Sequence, residues 1–316
     1  LSHQSGKWWE GNHKHGGFTH GMTRGFPQPG GRHGDDGLKI GREGLRPIQE
    51  FVETAVAQDE PFFLWYAPFL PHTPHNPPQR LFDKYKSKTD SPHIARYYAM
   101  CEWFDETCGE LLGIIDKAGV RDNTMVVYVT DNGWIQDPDK GKYAPRSKQT
   151  PYEGGIRTPI MFQMPGKLEA SDRPELVSSI DIFPTILAAA GARIPEGLPG
   201  INLLSYMQEG SEIERSHILG EGFSHDIADI KNPQASLLYR WAIEGRWKLL
   251  LTYDGEVNRY QTTHPRTEKR PQLFDLLNDP FEKNNLAAQN PNVVRQLGGY
   301  IQSWYPADQR QVRLSY

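Results

Sequence analysis

Two strand-sized apolar runs separated by one long helical pattern constrain the fold of this chain most strongly. The first run, Phe62 to Ala67, is continuously apolar, which is typical of a strand buried on both faces of a sheet. The second run, Thr124 to Thr130, follows a stretch from Ile94 to Ala118 whose apolar residues recur at three- and four-residue steps. Strand, helix and strand in this order predict a βαβ unit in a mostly parallel or mixed sheet covered by helices.

The segments around this unit complete an α/β pattern. The first 46 residues are rich in Gly and His with little periodicity, and we expect them to form loops. Three further elements are predicted: a helix from Ile48 to Gln58, a short strand from Ile160 to Gln163, and a helix from Ser179 to Gly191 with Asp181 near its N-cap.

The pattern changes after about Pro199, where antiparallel elements begin. A hairpin, a third strand and a terminal helix are predicted at Leu237 to Ile243 with Trp247 to Thr252, at Gln272 to Leu276, and at Asn290 to Trp304. We therefore predict two domains: an α/β core over residues 1–205 and a C-terminal subdomain over residues 206–316, made of a small antiparallel sheet and a helix.

Charge and apolar-run length exclude two classes of partner. The 35 Lys and Arg residues against 39 Asp and Glu give a net charge of −4, so no basic footprint for nucleic acid is expected. The longest apolar runs are too short for a transmembrane helix, and the first residues show no signal peptide.

The two cysteines are not expected to form a disulfide. Cys101 and Cys108 lie seven positions apart in a predicted helix, with their α-carbons about 10 Å apart, which is beyond disulfide reach.

Two polar clusters follow the two apolar runs, at the sheet edge where α/β proteins bind ligands. His72 and His75 lie in a proline-rich loop after the first run, and Asp131 and Asn132 follow the second. Carboxylate and amide oxygens suit Ca²⁺ or Mg²⁺, but two ligands do not complete a shell of about six to eight oxygens. The alternative is that Asp-Asn-Gly forms a simple turn.

Two loop lysines are candidates for binding a tetrahedral oxyanion. Lys148 lies in the long loop after the second run and could neutralise sulfate or phosphate as a point charge; the alternative is a solvated loop lysine. Lys7 precedes Trp8, which we interpret as an aromatic anchor. The nearby histidines, His13, His15 and His20, lack the spacing of a zinc site.

In their order along the chain, these fragments resemble the type I sulfatases of the alkaline-phosphatase superfamily. The resemblance covers almost the whole chain and rests on the following segments: Gly6-Lys7-Trp8, Pro71-His72-Thr73-Pro74, Val129 to Gly133, Lys148 with Tyr152 to Pro159, Asp181 to Thr185, Leu273 to Leu276 with Asp279-Pro280, and Asn285-Leu286. It implies an alkaline-phosphatase-like α/β fold, incomplete at the N-terminus.

The resemblance also implies roles for individual residues. Lys7 would contact both the sulfate and the nucleophile, while His72 and Lys148 would hold the sulfate ester. His72 would also protonate the departing alcohol oxygen, with His75 as the competing choice. Asp131 and Asn132 would supply two ligands of a calcium ion, with magnesium as the less favoured metal.

Three departures from the family pattern set limits on this expectation. Trp9 stands where the family usually has a second histidine, for which His13 or His15 is a candidate replacement. The family's formylglycine nucleophile arises from a Cys/Ser-Xaa-Pro/Ala-Xaa-Arg motif, which neither Cys101 nor Cys108 fits. The family's paired metal-binding aspartates precede the lysine motif, whereas Asp35-Asp36 follows it. We expect that the segment with the nucleophile is missing and that this chain alone has no turnover.

The resemblance implies a sulfatase that hydrolyses sulfate esters, with a sulfated carbohydrate or an aryl sulfate as substrate and a periplasmic or extracellular location. Three alternatives stay open at this point. The chain could come from a phosphodiester or phosphonate hydrolase of the same superfamily, it could be a non-catalytic binder of sulfated glycans, or it could be a structural fragment of a larger assembly.

Overall fold

A computed structural model describes residues 1–8, 11–25, 36–224, 231, 233–253 and 270–304. These residues form two compact units. The first unit contains residues 1–124 and 136–143, and the second contains residues 125–135 and the described residues from 144 onward. The domain boundary between residues 205 and 206 stays a prediction from the sequence.

The first unit is built on a three-stranded parallel sheet with the order β2-β1-β3. The strands are β1 (Ser2–Gly6), β2 (His20–Gly21) and β3 (Phe63–Ala67). The prediction that the first 46 residues form only loops is therefore wrong, because β1 is the central strand of this sheet. Its buried polar side chains hide the strand pattern: Ser5 Oγ donates to the Trp65 carbonyl at 2.8 Å, and Gln4 Oε1 accepts from the Thr23 amide at 3.2 Å.

Three helices accompany this sheet in the first unit: α1 (Arg46–Ala57), α2 (Gln79–Tyr85) and α3 (Pro92–Lys117). The predicted helices 48–58 and 94–118 are confirmed as α1 and α3. The apolar face of α1 is buried with Ile114 and Ile115 of α3, and the Tyr66 hydroxyl on β3 donates to Thr107 Oγ1 of α3 at 2.7 Å.

Two expectations about the apolar runs are wrong. Phe63 and Trp65 of β3 are 42% and 40% exposed, so β3 is covered on one face only, whereas Leu64 and Tyr66 face the core. The second run forms β4 (Val126–Val129), which pairs antiparallel with β5 (Ile160–Gln163), so among the described residues the expected parallel strand pairing of a βαβ unit is not found for this run. Apolar content predicts that a strand exists but does not identify its partner.

The second unit also carries a four-stranded antiparallel sheet with the order β6-β7-β8-β9. The strands are β6 (His217–Phe223), β7 (Leu237–Glu244), β8 (Trp247–Thr252) and β9 (Gln272–Asp275). The predicted hairpin, third strand and terminal helix are confirmed. Strand β6 was not predicted, since Gly220 and Gly222 interrupt its pattern. The Trp241 indole fills the space beside Gly220.

The remaining helices of the second unit are short, apart from the terminal one. They are α4 (Glu153–Ile156), α5 (Ile182–Ala189), α6 (Leu204–Glu209) and the terminal α7 (Pro291–Trp304), whose Leu297 and Ile301 enter the core of the antiparallel sheet. Asp181, which is fully buried, makes a two-pronged ion pair with Arg215 at 2.6 and 2.7 Å. The Asp181-to-Thr185 motif therefore has a structural role.

Two features concern the helices and the cysteines. Among the helices that the structure describes, none combines the length and the apolar character needed to cross a membrane. Cys101 and Cys108 are both free thiols, as their spacing predicted, and burial raises the pKa of Cys108 to about 11.

Candidate active site

The carboxyl ends of β1 and β3 place Lys7 in the first unit. Gly6 pairs with Ala67, and the Lys7 amide donates to the Ala67 carbonyl at 2.6 Å. Gly6 has φ +84°, and a Cβ at this position would lie 1.8 Å from the Ala67 carbonyl oxygen, so the approach requires glycine. The end of β1 thus delivers Lys7 directly beside the start of the proline-rich loop.

One aromatic ring, that of Phe69, contacts both Lys7 and His72. Lys7 Nζ lies 5.8 Å from the centroid of the Phe69 ring, and the His72 imidazole stacks on the same ring with centroids 4.5 Å apart. Because an ammonium and an imidazole meet on one side chain, the structure brings two of the predicted site residues together. They suit the binding of a tetrahedral oxyanion.

The hydrogen bonds of His72 orient its imidazole. Nδ1 lies 2.9 Å from the Thr73 carbonyl oxygen, which can only accept, so Nδ1 carries the proton and donates it there. Proton transfer to or from a ligand by this side chain would then use Nε2. The surrounding loop has cis peptide bonds at Leu70-Pro71 and Thr73-Pro74.

Arg42 anchors the proline-rich loop and was not identified from the sequence. Its Nε and one terminal nitrogen donate to the Phe69 carbonyl at 3.3 and 3.1 Å, and the other terminal nitrogen donates to Asn76 Oδ1 at 2.7 Å. The guanidinium also lies 5.3 Å from the Trp103 ring centroid, and burial lowers the pKa of Arg42. Its partners are 27 and 34 positions away in sequence, so no local pattern indicates this role.

His75, the competing choice for the proton donor, occupies different surroundings. Its ring lies 5.5 Å from the Tyr97 ring, whereas the Phe69 ring is stacked on His72. Burial lowers the pKa of His75, and the neighbouring His72 and His93 lower it further. The structure therefore places His72 on the ring that Lys7 also contacts, and His75 beside the Tyr97 ring.

The second unit brings Asp131 and Asn132 next to the loop of Lys148. Asn132 Nδ2 donates to the Gly133 carbonyl at 3.0 Å, which assigns Oδ1 as the side chain's acceptor. The Gly133 amide donates to the Gly155 carbonyl at 2.8 Å, and a Cβ at Gly133 would lie 2.2 Å from the carbonyl oxygen of the adjoining Gly154. The loop after β4 is therefore in direct backbone contact with α4, the short helix that follows the Lys148 loop.

Two further contacts join the same loops. The Ile135 amide donates to Ser147 Oγ at 2.6 Å, and Lys148 Nζ lies 5.7 Å from the Trp134 ring centroid. The predicted lysine and the predicted metal ligands are thus on neighbouring loops of the second unit.

The metal-binding capacity of these loops is partial. Asp131, which is exposed, and Asn132 offer hard oxygen atoms of the kind that Ca²⁺ prefers. Within the described ranges, no group of three or more His, Cys, Asp and Glu side chains is arranged to hold a metal ion. The donor chemistry of Asp131 and Asn132 suits calcium, and their role as metal ligands stays a prediction.

A buried charge cluster supports the Lys148 loop. It was not identified from the sequence. Lys248 Nζ lies 2.9 Å from Glu153 Oε1 and 2.8 Å from Glu282 Oε1, and the side chains of Lys248 and Glu282 are 0% and 1% exposed. The Glu153 amide donates to Glu282 Oε2 at 2.6 Å. Burial raises the pKa of Glu282, an effect that Lys248 opposes.

Arg146 makes a further link from the same loop. Its guanidinium donates to the Glu282 carbonyl and lies 4.4 Å from the Tyr152 ring centroid, while the Tyr152 hydroxyl donates to Gln272 Oε1 at 2.9 Å. The loop that carries Lys148 is therefore tied to the antiparallel sheet at several points.

The other predicted residues near the N-terminus either have the contacts given below or fall outside the described ranges. Trp9 and Asp35 fall outside the described residues. Asp36 pairs with Arg24 at 3.2 Å and with Lys39 at 3.1 Å. His13 and His15 belong to a 3-10 turn, and a role for either in place of the family's second histidine stays a prediction.

Comparison with known proteins identifies two matching family models. Residues 43–192 match the family described as Sulfatase. Residues 141–302 match the family described as N-sulphoglucosamine sulphohydrolase, C-terminal. Together they cover most of the described chain from α1 to α7.

Individual relatives agree with these matches. A protein named sulfatase from Formosa agariphila is 31% identical over 280 residues, covering 80% of this chain and 48% of the relative. An N-acetylgalactosamine-6-O-sulfatase from Bacteroides thetaiotaomicron is 28% identical over 262 residues, covering 78% and 47%. The chain spans about half the length of the curated relatives it matches.

A solved structure has a fold similar to that of this chain. It comes from work on the metabolism of multiple glycosaminoglycans by Bacteroides thetaiotaomicron, and it superposes with a TM-score of 0.64 at 27% identity. The match covers 84% of this chain and 54% of that one.

Proposed function

Because the chain belongs to the sulfatase family of the alkaline-phosphatase superfamily, we propose that it acts in the hydrolysis of sulfate esters on carbohydrates. Membership confirms the family resemblance of the sequence and the predicted fold class, an α/β core followed by a small antiparallel sheet. The carbohydrate class is supported by the curated relative named N-acetylgalactosamine-6-O-sulfatase.

The observation that carries the proposal is the contact of Lys7 and His72 with the same Phe69 ring at the ends of β1 and β3. Sulfuryl transfer resembles phosphoryl transfer, in which catalysis is mostly positioning and stabilisation of charge on three equatorial oxygens. Lys7 supplies a point charge for these oxygens. When doubly protonated, His72 would give its Nε2 proton to the departing alcohol oxygen and keep the proton on Nδ1.

Lys148, Asp131 and Asn132 extend the proposal to the second unit. By the family resemblance, Lys148 would supply positive charge to a sulfate ester. Asp131 and Asn132 would hold Ca²⁺ rather than Mg²⁺, because calcium accepts larger and less regular oxygen shells. When bound, the ion would neutralise charge on the sulfate oxygens.

Binding, rather than turnover, is the appropriate test for this chain. Its 316 residues contain no Cys/Ser-Xaa-Pro/Ala-Xaa-Arg motif, and the absence of turnover by this polypeptide stays a prediction. An aryl sulfate assay on material freed of host enzymes checks it. Metal-dependent hydrolysis by this exact chain would overturn it.

The proposal itself is tested by calorimetric titration of the chain with inorganic sulfate in calcium buffer. We expect Lys7→Met and His72→Ala to weaken sulfate binding by about tenfold each, as for the loss of a charged hydrogen bond. Lys14→Met is the matched control, because Lys14 is an exposed lysine of the same unit. Equal affinity of the wild type and both site variants would refute the proposal.

An extracytoplasmic location, periplasmic or extracellular, is part of the same proposal and is supported by the family resemblance. Fractionation of the source cells tests it. Recovery of the protein in the cytoplasmic fraction would contradict it.

A further inference from the structure

A groove of about 550 Å³ lies beside the proline-rich loop of the first unit. It is lined by Thr73, Pro74, His75, His93, Arg96 and Gly141. The volume lies within the range of about 300–1,000 Å³ that is usual for small-molecule sites. One wall, Thr73 to His75, directly follows His72 in the chain, so the groove adjoins the proposed sulfate-binding residue.

The opposite walls are fixed by α3 and by the loop of residues 136–143. His93 and Arg96 lie three positions apart on α3 and therefore share a face of that helix. The loop is closed on itself by Gln136, whose Nε2 donates to the carbonyls of Lys140 and Lys142 at 2.7 and 3.0 Å. Ser91 Oγ, at the start of α3, donates to the Pro138 carbonyl in this loop.

The lining of the groove contains one arginine and two histidines and no carboxylate. The Arg96 guanidinium is held over the Phe82 ring, 5.1 Å from its centroid. Among the ion pairs of the described residues, Arg96 and His93 take no part, whereas Arg46 and Arg80 on the neighbouring helices are paired with Glu50 and Glu106. The positive charge of Arg96 is therefore not neutralised within the described chain.

We propose that this groove binds a second anionic substituent of the glycan, a sulfate or a carboxylate, beside the sulfate ester that His72 and Lys7 hold. The inference rests on the proposed function and deepens it, because it selects glycans with at least two acidic groups as substrates. Arg96 and His93 donate hydrogen bonds to the second anion, and Arg96 does so with the planar geometry that matches sulfate and carboxylate.

The test compares three disaccharides of the same sugars: one with a single sulfate, one with a second sulfate, and one with a carboxylate in place of the second sulfate. Each is titrated calorimetrically into the 316-residue chain in calcium buffer. We expect the wild type to bind at least one of the two doubly charged ligands about tenfold more tightly than the singly charged ligand. The doubly charged ligand that binds more tightly shows whether the groove prefers a sulfate or a carboxylate.

The double variant His93→Ala/Arg96→Ala should remove this preference while it leaves the affinity for the singly sulfated ligand unchanged. Both residues are on a helix, where alanine is well tolerated. Arg46→Ala is the control for a general loss of positive charge, since Arg46 is 87% exposed on α1, and it should retain the preference. A preference that persists in the double variant, or that is absent in the wild type, would overturn the inference.

Lys7→Met separates this inference from the proposed function. This substitution should weaken the binding of all three disaccharides by the same factor and leave the ratio of their affinities unchanged. Unchanged binding of the singly sulfated ligand by Lys7→Met would contradict the proposed function. The ratio of the affinities for doubly and singly charged disaccharides would still show whether the groove binds a second anion. Failure of the wild type to bind any of the ligands would contradict both.

Discussion

Lys248 Nζ lies 2.9 Å from Glu153 Oε1, although 95 positions separate the two residues in sequence. Lys248 is on a strand of the C-terminal antiparallel sheet, and Glu153 begins the short helix five residues after Lys148. A buried cation therefore fixes the position of the loop that carries a proposed sulfate-binding residue. The antiparallel sheet acts as the support of this loop.

We expect Lys248→Met to lower the free energy of unfolding by about 3 kcal/mol or more, because it leaves the buried Glu282 carboxylate without its cation. Urea denaturation measures the change. Lys283→Met, at an exposed position next to Glu282, should change stability by less than about 0.5 kcal/mol. If the two variants were equally stable, the buried cluster would not have the structural role assigned to it.

Gly133→Ala should disrupt the contact between the loop of Asp131 and the loop of Lys148. The new methyl group would meet the Gly154 carbonyl oxygen at 2.2 Å, so the backbone must move. Calcium should then raise the melting temperature of this variant by less than it raises that of the wild type. Thermal unfolding with and without the ion measures the difference. Gly109→Ala is the control: its Cβ enters open space on α3, and it should stabilise the chain by up to about 1 kcal/mol. Undiminished calcium protection in Gly133→Ala would count against the assigned ligands.

Arg42→Lys should weaken sulfate binding about fivefold even though it keeps the charge, because a lysine cannot donate simultaneously to the Phe69 carbonyl and to Asn76. The Phe69 ring, on which His72 stacks, then loses its anchor. Titration with sulfate measures the loss. The matched substitution Arg46→Lys should have no effect, and an equal loss in both variants would contradict a positioning role for Arg42.

The stability of the chain should fall in mild acid because of His3. This side chain on β1 is 5% exposed, and burial, reinforced by His20 and His13, lowers its pKa from 6.5 to about 4. The unfolded chain then binds more protons than the folded chain between these two values, so stability is full above pH 6.5 and is lost as the pH falls toward 4.

His3→Gln should remove up to about 3 kcal/mol of this acid-induced loss. Urea unfolding at neutral pH and near pH 4 gives the difference, with His15→Gln, at an exposed position, as the control. Parallel pH profiles for the wild type and His3→Gln would disprove the assignment.

The sequence predicted those elements whose apolar residues follow a clear period. The face of α1 that contains Ile48 and Val52 is an example, and both residues are fully buried. The central strand β1 could not be found in this way, because its buried Gln4 and Ser5 satisfy their polar groups through partners 19 and 60 positions away. A pattern of apolar residues cannot report such partners.

The residues of the candidate site also differ in whether local sequence indicates their role. His72 and Asp131 were identified because each follows an apolar run and belongs to a recognisable motif. Arg42 and Glu282 were not, because their roles depend on contacts with residues far away in sequence: Arg42 reaches the Phe69 carbonyl and Glu282 reaches Glu153. Motifs thus predicted the residues proposed to meet the ligand, while the residues that position them required the structure.

The most direct test of the central claim is a calorimetric titration of the 316-residue chain with a sulfated disaccharide and with its desulfated counterpart, in calcium buffer. The account predicts saturable binding of the sulfated sugar, weakened by Lys7→Met, and no measurable binding of the desulfated sugar. Equal affinities for the two sugars, or no binding of the sulfated one, would contradict it.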